Sequence, residues 1–483
     1  MASVDGAAVN SPVETEVTEV ILTAAHKVHL DPNNTAPLGK ESGKIDITDM
    51  VVAIDINEGI DIRILSGDVL ITDAVGALAG LPIVGQERIT FKIHKGQIDA
   101  AHKQWSRELT FYVRAVENVS RENDFTLSYQ LRIVEEAYFL NALTQISQSY
   151  TGTISSIMNE VFDEFLKGQP VQGSSGSASP VAPSGFEKIT SEEETSGKFK
   201  IIIPNWSPYH ALKWLTQRAR TEANEPFYLY NTLFDGMILK SSRAIFDSVP
   251  INDRTLYTQK EHVPETKNDV QRGNAKDIVH TVDMAFFFKM LETTPIPSHI
   301  LNGVYGSHYK LLDTANKVVD EKIWNYKEEF DALPKLSKFK VNSDDVKYST
   351  DANEFQLGPS VAAEKIYAYS GNSFESSGNM SYNEDTLNNV PFRKAIDGTL
   401  GNYAYKIGIP GDKEIQAGKT INLYLNKNEM AQTDEVEKTK DERKSGKHVI
   451  TLVKHRFHLP KLQYTQMIEV NRETMERDHK DEN

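Results

Sequence analysis

Between residues 54 and 133 the chain alternates apolar and polar side chains with period two, and this limits what it can fold into more than any other feature. Ile60, Ile62 and Ile64 alternate with Asp61 and Arg63, and Ile89, Phe91 and Ile93 with Thr90, Lys92 and His94. Leu109, Phe111 and Val113 form a third set, and Leu127, Tyr129, Leu131 and Ile133 a fourth. Successive side chains of a strand point to opposite faces, so each set predicts a strand with one face on a core. Turns expected at Ser66-Gly67-Asp68 and Lys95-Gly96 join them into an antiparallel barrel or sandwich. Residues 403–409, 421–425, 449–457 and 464–470 repeat the strand signal near the C-terminus.

Between these regions the period changes. Ile154, Ile157, Met158, Val161, Phe162 and Phe165 fall on one helical stripe that stops at Lys167-Gly168. Residues 168–185 carry almost no large apolar side chain and read as a linker. A buried strand running to Ile203 follows, then a helix opened by Ser207 and Pro208, a favoured N-cap followed by proline at the first helical position. Residues 227–230 and 237–240 predict a hairpin around Asp235-Gly236, residues 284–291 a helix, and residues 371–389 a long polar loop. The fold class expected is α+β and β-rich. Its divisions are residues 1–135, 136–205, 206–390 and 391–483, with barrel strands in the first and last and mixed helix and hairpin material between.

With 483 residues the chain has room for about three domains at ~150 residues each. Its 53 Lys+Arg against 68 Asp+Glu leave a net charge of -15, which repels phosphate and disfavours a general DNA-coating role. The absence of cysteine excludes disulfides, thiolate metal sites and cysteine nucleophiles. No uncharged apolar run reaches the ~18 residues that span a bilayer, and the first residues show no export pattern, so no membrane insertion is expected.

Catalytic signatures are missing from the sequence. The spacing Gly80 to Gly85 imitates a phosphate loop, but Gln86 and Glu87 stand where lysine and a hydroxyl residue are required. His448, His455 and His458 crowd the C-terminal strands. His455 and His458 fall on opposite strand faces, so surface or hydrogen-bonded roles are expected rather than a shared metal. Trp206 and Trp214 flank a strand-to-helix turn and are expected to support that junction. No catalytic, metal or cofactor residue is assigned, and no cofactor is expected.

The segments IPNWSPYHALKWLTQRAR and PFYLYNTLFDGMILKSS resemble a pattern of the baseplate central hub subunits of T-even-like contractile-tailed bacteriophages, the tail hub and tube-initiator family. The residues that carry it are Pro204, Trp206, Pro208, Trp214, Leu215, Arg218 and Ala219, then Tyr230 and Gly236. Residues 65–93, 407–425 and 445–457 look like the same family in the same order. Gly236 is followed by Met237 where an aromatic residue is common.

The resemblance implies two tail-tube-like β-barrels per chain and a non-enzymatic homotrimer whose six barrels form a pseudo-hexameric ring. Implied partners are the tail tube protein, the central spike protein and other baseplate proteins. DNA would pass through without being specifically bound, and the protein would reside in the virion after assembly in the host cytoplasm. Leu78, Leu81, Ile83 and Val84 gather apolar surface around the Gly85 turn and are the candidate tube interface, with barrel closure as the alternative role. A receptor-binding tail protein is the competing reading; a cell-wall-degrading enzyme with two carboxylates is a weaker one, because nothing singles out a pair.

Overall fold

Seven strands form the first half of the architecture in this computed structural model: β1 (Glu16–Thr23), β2 (Lys44–Asp46), β3 (Val51–Gly59), β4 (Ser66–Asp73), β5 (Arg88–Lys95), β6 (Trp105–Arg121) and β7 (Leu127–Val134). The residues described are 15–24, 44–76, 78, 83, 85–95, 105–167, 188–251, 255–257, 285–293, 296–313, 317–337, 365–369, 374–376, 382–425, 441 and 443–474. These strands pair in the order β2-β1-β5-β6-β7-β4-β3, every ladder antiparallel. Ile89, Phe91, Ile93, Leu109, Phe111, Val113, Tyr129, Leu131 and Ile133 all turn inward onto one core. Phe91 stacks on Phe111 at 5.8 Å. Each such side chain contributes about 1.5–3 kcal/mol on burial, so the alternation is the main source of this unit's stability.

The middle of the chain adds β8 (Ile146–Gly152), β9 (Thr190–Ser191), β10 (Phe199–Trp206), β11 (Phe227–Thr232) and β12 (Gly236–Ser241). Its helices are α1 (Glu136–Leu143), α2 (Ile154–Phe165), α3 (Pro208–Thr216) and α4 (Ser242–Asp247). Helix α2 begins where the Thr153 side chain accepts a 3.2 Å bond from the Ser156 amide. Its apolar stripe packs on Ile201 and Ile203 of β10 and on Leu212 and Leu215 of α3. Next come β13 (Thr255–Tyr257), β14 (Phe287–Thr293), β15 (Gly306–Asp313), β16 (Val318–Asn325), β17 (Lys365–Tyr369) and β18 (Phe374–Ser376). Helices α5 (Ile296–Asn302), α6 (Tyr326–Glu329) and α7 (Tyr382–Leu400) accompany them. Tyr305, Tyr309, Trp324 and Tyr326 pack there against Phe392, Ala395 and Ile396 of α7.

The C-terminal strands are β19 (Tyr403–Pro410), β20 (Thr420–Tyr424), β21 (Gly446–His458) and β22 (Gln463–Arg472). They surround a separate core that includes Ile407, Ile421, Leu423, Val453 and Ile468. Here the two halves of the chain meet: β21 pairs with β3 over seven residues, from Leu452 opposite Gly59 to His458 opposite Ala53. The first and last strand groups thereby form one continuous antiparallel path, β14-β19-β22-β21-β3-β4-β7-β6-β5-β1-β2. Among the described residues the path is open at both ends. Two separately closed barrels are not seen as ladders, although the Thr15 amide does reach the Leu462 carbonyl at 2.9 Å, bringing the start of β1 back to the β21–β22 turn.

Several local expectations are corrected. The alternating run Ile60, Ile62 and Ile64 is not a strand; β3 ends at Gly59, and Ile60 turns into a different core. The expected turn at Ser66-Gly67-Asp68 is the start of β4. Residues 287–293 form β14 rather than a helix, because pairing with β19 decides between two conformations that a short apolar run leaves open. Part of the expected loop 371–389 is β18 and the first turns of α7. The linker 168–185 lies outside the described residues.

Gly67 shows how closely β3 and β4 approach. A Cβ at this position would lie 2.1 Å from the Asp55 carbonyl oxygen, a backbone atom that cannot turn aside. Gly67→Ala is therefore expected to lower stability by about 1–3 kcal/mol, through forced separation of the two strands. Urea denaturation of the variant checks this.

Candidate functional site

The junction of the two strand groups is built from charge as well as ladder. Asp55, buried on β3, accepts two bonds from Arg456 at 2.7 and 2.8 Å, and Lys454 Nζ lies 2.9 Å away. Burial pushes the Asp55 carboxyl up, but the Arg456 and Lys454 cations outweigh it and hold the group below the usual carboxylate range. Three residues along, Glu58 is fully buried. One oxygen accepts from the Leu233 amide at 2.6 Å, the other from the Ala417 amide at 2.8 Å. His455 Nε2 is 3.3 Å from Glu58, while its Nδ1 lies 2.8 Å from the Tyr464 hydroxyl. His455 Nδ1 also lies 3.3 Å from Gln466 Nε2, whereas Nε2 faces Glu58 without an aligned hydrogen bond. Gln466 completes the network by donating to the carbonyls of Asp412 and Ile415.

The β11–β12 hairpin is clamped into this junction by its tip. Leu233 enters the first core, and Phe234 meets the rings of Trp105 and His455 edge-on at 5.2 and 5.9 Å. Gln416 Nε2 donates to Asp235 at 3.0 Å, and Lys419 approaches the same carboxylate at 3.1 Å.

The residues carrying the sequence resemblance divide into buried and half-exposed groups. Leu215 and Ala219 are fully buried in the α2–α3 core, with Pro208 also buried at the helix start. Tyr230 is buried and lies over Gly418, where φ is +79° and a Cβ would come within 2.2 Å of the tyrosine hydroxyl. Gly236 turns the hairpin with φ +83°, a conformation that favours glycine. Pro204 is exposed. Trp206, Trp214 and Arg218 are half-buried: the two indoles meet edge-on at 5.4 Å, and the Arg218 guanidinium covers Trp214 at 3.9 Å. Those aromatic rings thus sit on the surface side of the junction and not in its interior.

Of the candidate tube-interface residues, Leu78 and Ile83 are half-buried against the first core, whereas Leu81 and Val84 lie outside the described residues. More apolar surface is exposed elsewhere. Strand β14 ends the sheet path and exposes Phe287, Phe288, Met290 and Leu291 by about two-fifths each, next to Phe286 at 56%. The β6–β7 hairpin tip exposes Val119 and Phe125, the latter by 86%. Sequence reasoning missed both. The period-two signal fails at β14 because apolar residues stand on both faces.

His448 and His455 are both fully buried, and among the described residues no group of three or more His, Asp or Glu side chains is placed to hold a metal ion. No helix among them is long and apolar enough to cross a membrane.

No family model and no curated protein matches this chain. Solved structures similar to it include the tail protein from Neisseria meningitidis MC58, at 11% identity over 95% of this chain and 96% of that one, with a TM-score of 0.49. Another is the 43 kDa tail protein of prophage MuSo2 from Shewanella oneidensis, at 11% identity over 94% and 98%, with a TM-score of 0.44. A third is a chain of the half-lidded Francisella PdpA-VgrG complex, at 10% identity over 97% of this chain and 60% of that one, with a TM-score of 0.40.

Two outcomes test the junction. Glu58→Leu leaves the Leu233 and Ala417 amides without an acceptor and is expected to cost about 2–5 kcal/mol, measured by chemical denaturation. The second test is pH. Burial, then the Arg472 cation, push His448 down from 6.5 to about 3, so below pH 6.5 the unfolded chain takes up a proton that the folded chain refuses. Burial pushes Glu135 up from 4.5 to about 8 against its bonds from Leu65 and Asn231, so between these values the folded chain keeps a proton that the unfolded chain loses. Stability is expected to gain from His448 as pH rises from 3 to 6.5 and to lose from Glu135 as pH rises from 4.5 to 8. Urea midpoints across pH 4–8 for His448→Gln and Glu135→Gln should each lack the corresponding slope.

Proposed function

We propose that this chain is a non-enzymatic structural subunit of a contractile tail's central hub. Three copies would close into a ring of six tube-like units, matching a hexameric tail tube on one side and a trimeric spike on the other. The observation that carries this reading is the edge-to-edge fusion of two antiparallel strand groups through the β3–β21 ladder, with Asp55 and Glu58 holding their relative position. A chain that must offer two equivalent units to a ring needs such a rigid joint, and three copies of a pair convert threefold into pseudo-sixfold symmetry. The hub-like segments around Trp206, Trp214 and Tyr230 point the same way. The strand groups are read as the two tube-like barrels, in a virion component that lets DNA pass without binding it.

Within this reading β14 is the contact between copies. Its outer edge has no strand partner among the described residues, and its exposed Phe287, Phe288, Met290 and Leu291 supply apolar surface around Lys289 for a permanent interface of about 2,000 Å² or more. The β6–β7 tip and the candidate residues Leu78, Leu81, Ile83 and Val84 would supply the contact with the tube.

Mass measurement by light scattering is expected to give three chains, and particle images a ring with a six-fold-like face. A monomer both in solution and in the assembled particle overturns the proposal. Phe287→Lys with Met290→Lys should yield a folded monomer that melts below the wild-type trimer, because the stabilisation that association gives the native chain is lost. Charge substitution at Leu81 should leave a soluble trimer that no longer nucleates tube growth.

A further inference from the structure

Two strand edges of this fold carry complementary side chains. Strand β14 ends the long sheet path and β16 ends the three-stranded sheet β16-β15-β17, so each has a strand on one side alone among the described residues. On β14 Phe287 and Lys289 stand two positions apart, both exposed; on β16 Val319, Glu321 and Ile323 follow the same alternation, all exposed. A charge on an edge strand ordinarily keeps it from pairing. Here Val319 and Ile323, exposed by 56% and 67%, flank Glu321 with apolar surface, which leaves an edge suited to one matching strand.

The lysine of β14 lacks a counter-charge. Lys289 lies directly opposite Lys406 of β19, which in turn lies opposite Glu469 of β22. Like charges facing each other across a ladder are destabilising, and Lys289 has no carboxylate partner among the described residues. A strand added outside β14 continues this row, and a carboxylate at the position facing Lys289 offsets the repulsion. Glu321 retains room for such a contact: His308 Nε2 lies 3.1 Å from one of its oxygens and Lys310 Nζ 4.0 Å from the other, yet half of the side chain is exposed.

We infer that β14 of one copy pairs antiparallel with β16 of the next, in the register that sets Lys289 opposite Glu321 and Phe287 opposite Ile323. The same register brings Val319 to Leu291, at the bulge where β14 has one residue more than β19. On the other face Phe288 falls beside Lys322, whose methylene stem can lie along the ring, and Met290 beside Asp320. Self-pairing of either edge about its charged centre sets like against like, Lys289 on Lys289 or Glu321 on Glu321. The mixed pairing is heterologous, the kind of contact that closes a ring and not a two-fold dimer. It rests on the hub reading of β14 as the contact between copies, and adds the strand that β14 meets.

Engineered cysteines test the register in the full chain, which has no cysteine of its own. Directly opposite residues of an antiparallel pair hold their Cβ atoms about 4.5–5.5 Å apart, within reach of a disulfide after a small adjustment. Under mild oxidation Phe287→Cys with Ile323→Cys is expected to give covalent dimers and trimers on a non-reducing gel, and either single variant none. Light scattering reads the same contact through charge. Lys289→Glu is expected to weaken association about tenfold or more, and Glu321→Lys added to it to restore association; circular dichroism checks that each variant is folded. A wild-type chain that stays monomeric overturns the hub reading and this contact together. With a wild-type trimer, the pairing alone is overturned by an absent cross-link in the double cysteine variant, by a cross-link from Phe287→Cys alone, or by unweakened association of folded Lys289→Glu.

Discussion

The buried carboxylate of Glu58 is the contact on which the arrangement of this molecule depends. It binds amides of the β11–β12 hairpin tip and of the segment before β20, and it faces a histidine of β21. Those partners lie 175, 359 and 397 positions away in sequence, the last being the difference between His455 and Glu58. A charge removed from water is costly unless its partners are placed in advance, so the site demands that three distant segments arrive together. One side chain thereby makes the packing of the hairpin, of the second strand group and of the first mutually conditional.

Much of the first strand group could be read from alternation alone. Ile89, Phe91 and Ile93 on β5, Leu109, Phe111 and Val113 on β6, and Tyr129, Leu131 and Ile133 on β7 all face the core. The stripe of α2 was equally plain, because six apolar residues at helical spacing have only one surface to bury. What resisted reading was β3, whose Asp55 and Glu58 interrupt the apolar pattern. Their partners lie hundreds of residues downstream, and no local window contains both members of either pair. Likewise α7 opens with polar residues and carries Pro391, and among the described side chains its apolar contacts begin at Val390.

The candidate surfaces show the same division. Trp206 and Trp214 stood out as residue types, yet an aromatic at a strand-to-helix turn has the same signature whether its ring closes a core or walls a cavity. Here the two indoles meet on the outer side of that turn, with Arg218 stacked across one of them. The apolar run at β14 was visible too. Only its place at the end of the sheet path turns Phe287 and Met290 from core candidates into exposed surface.

The ladder that joins the two strand groups also decides how the molecule bears force. Strand β3 is hydrogen-bonded along both sides, to β4 and to β21, and the β21 ladder runs antiparallel for seven residues. A pull along the strand axis loads those bonds in shear, so they must fail together and not peel one at a time. The bidentate Asp55–Arg456 pair bridges the same two strands and resists the same sliding. The seam between the halves is thus stiff along its length, and the compliance of the chain under load is displaced to the segments outside it.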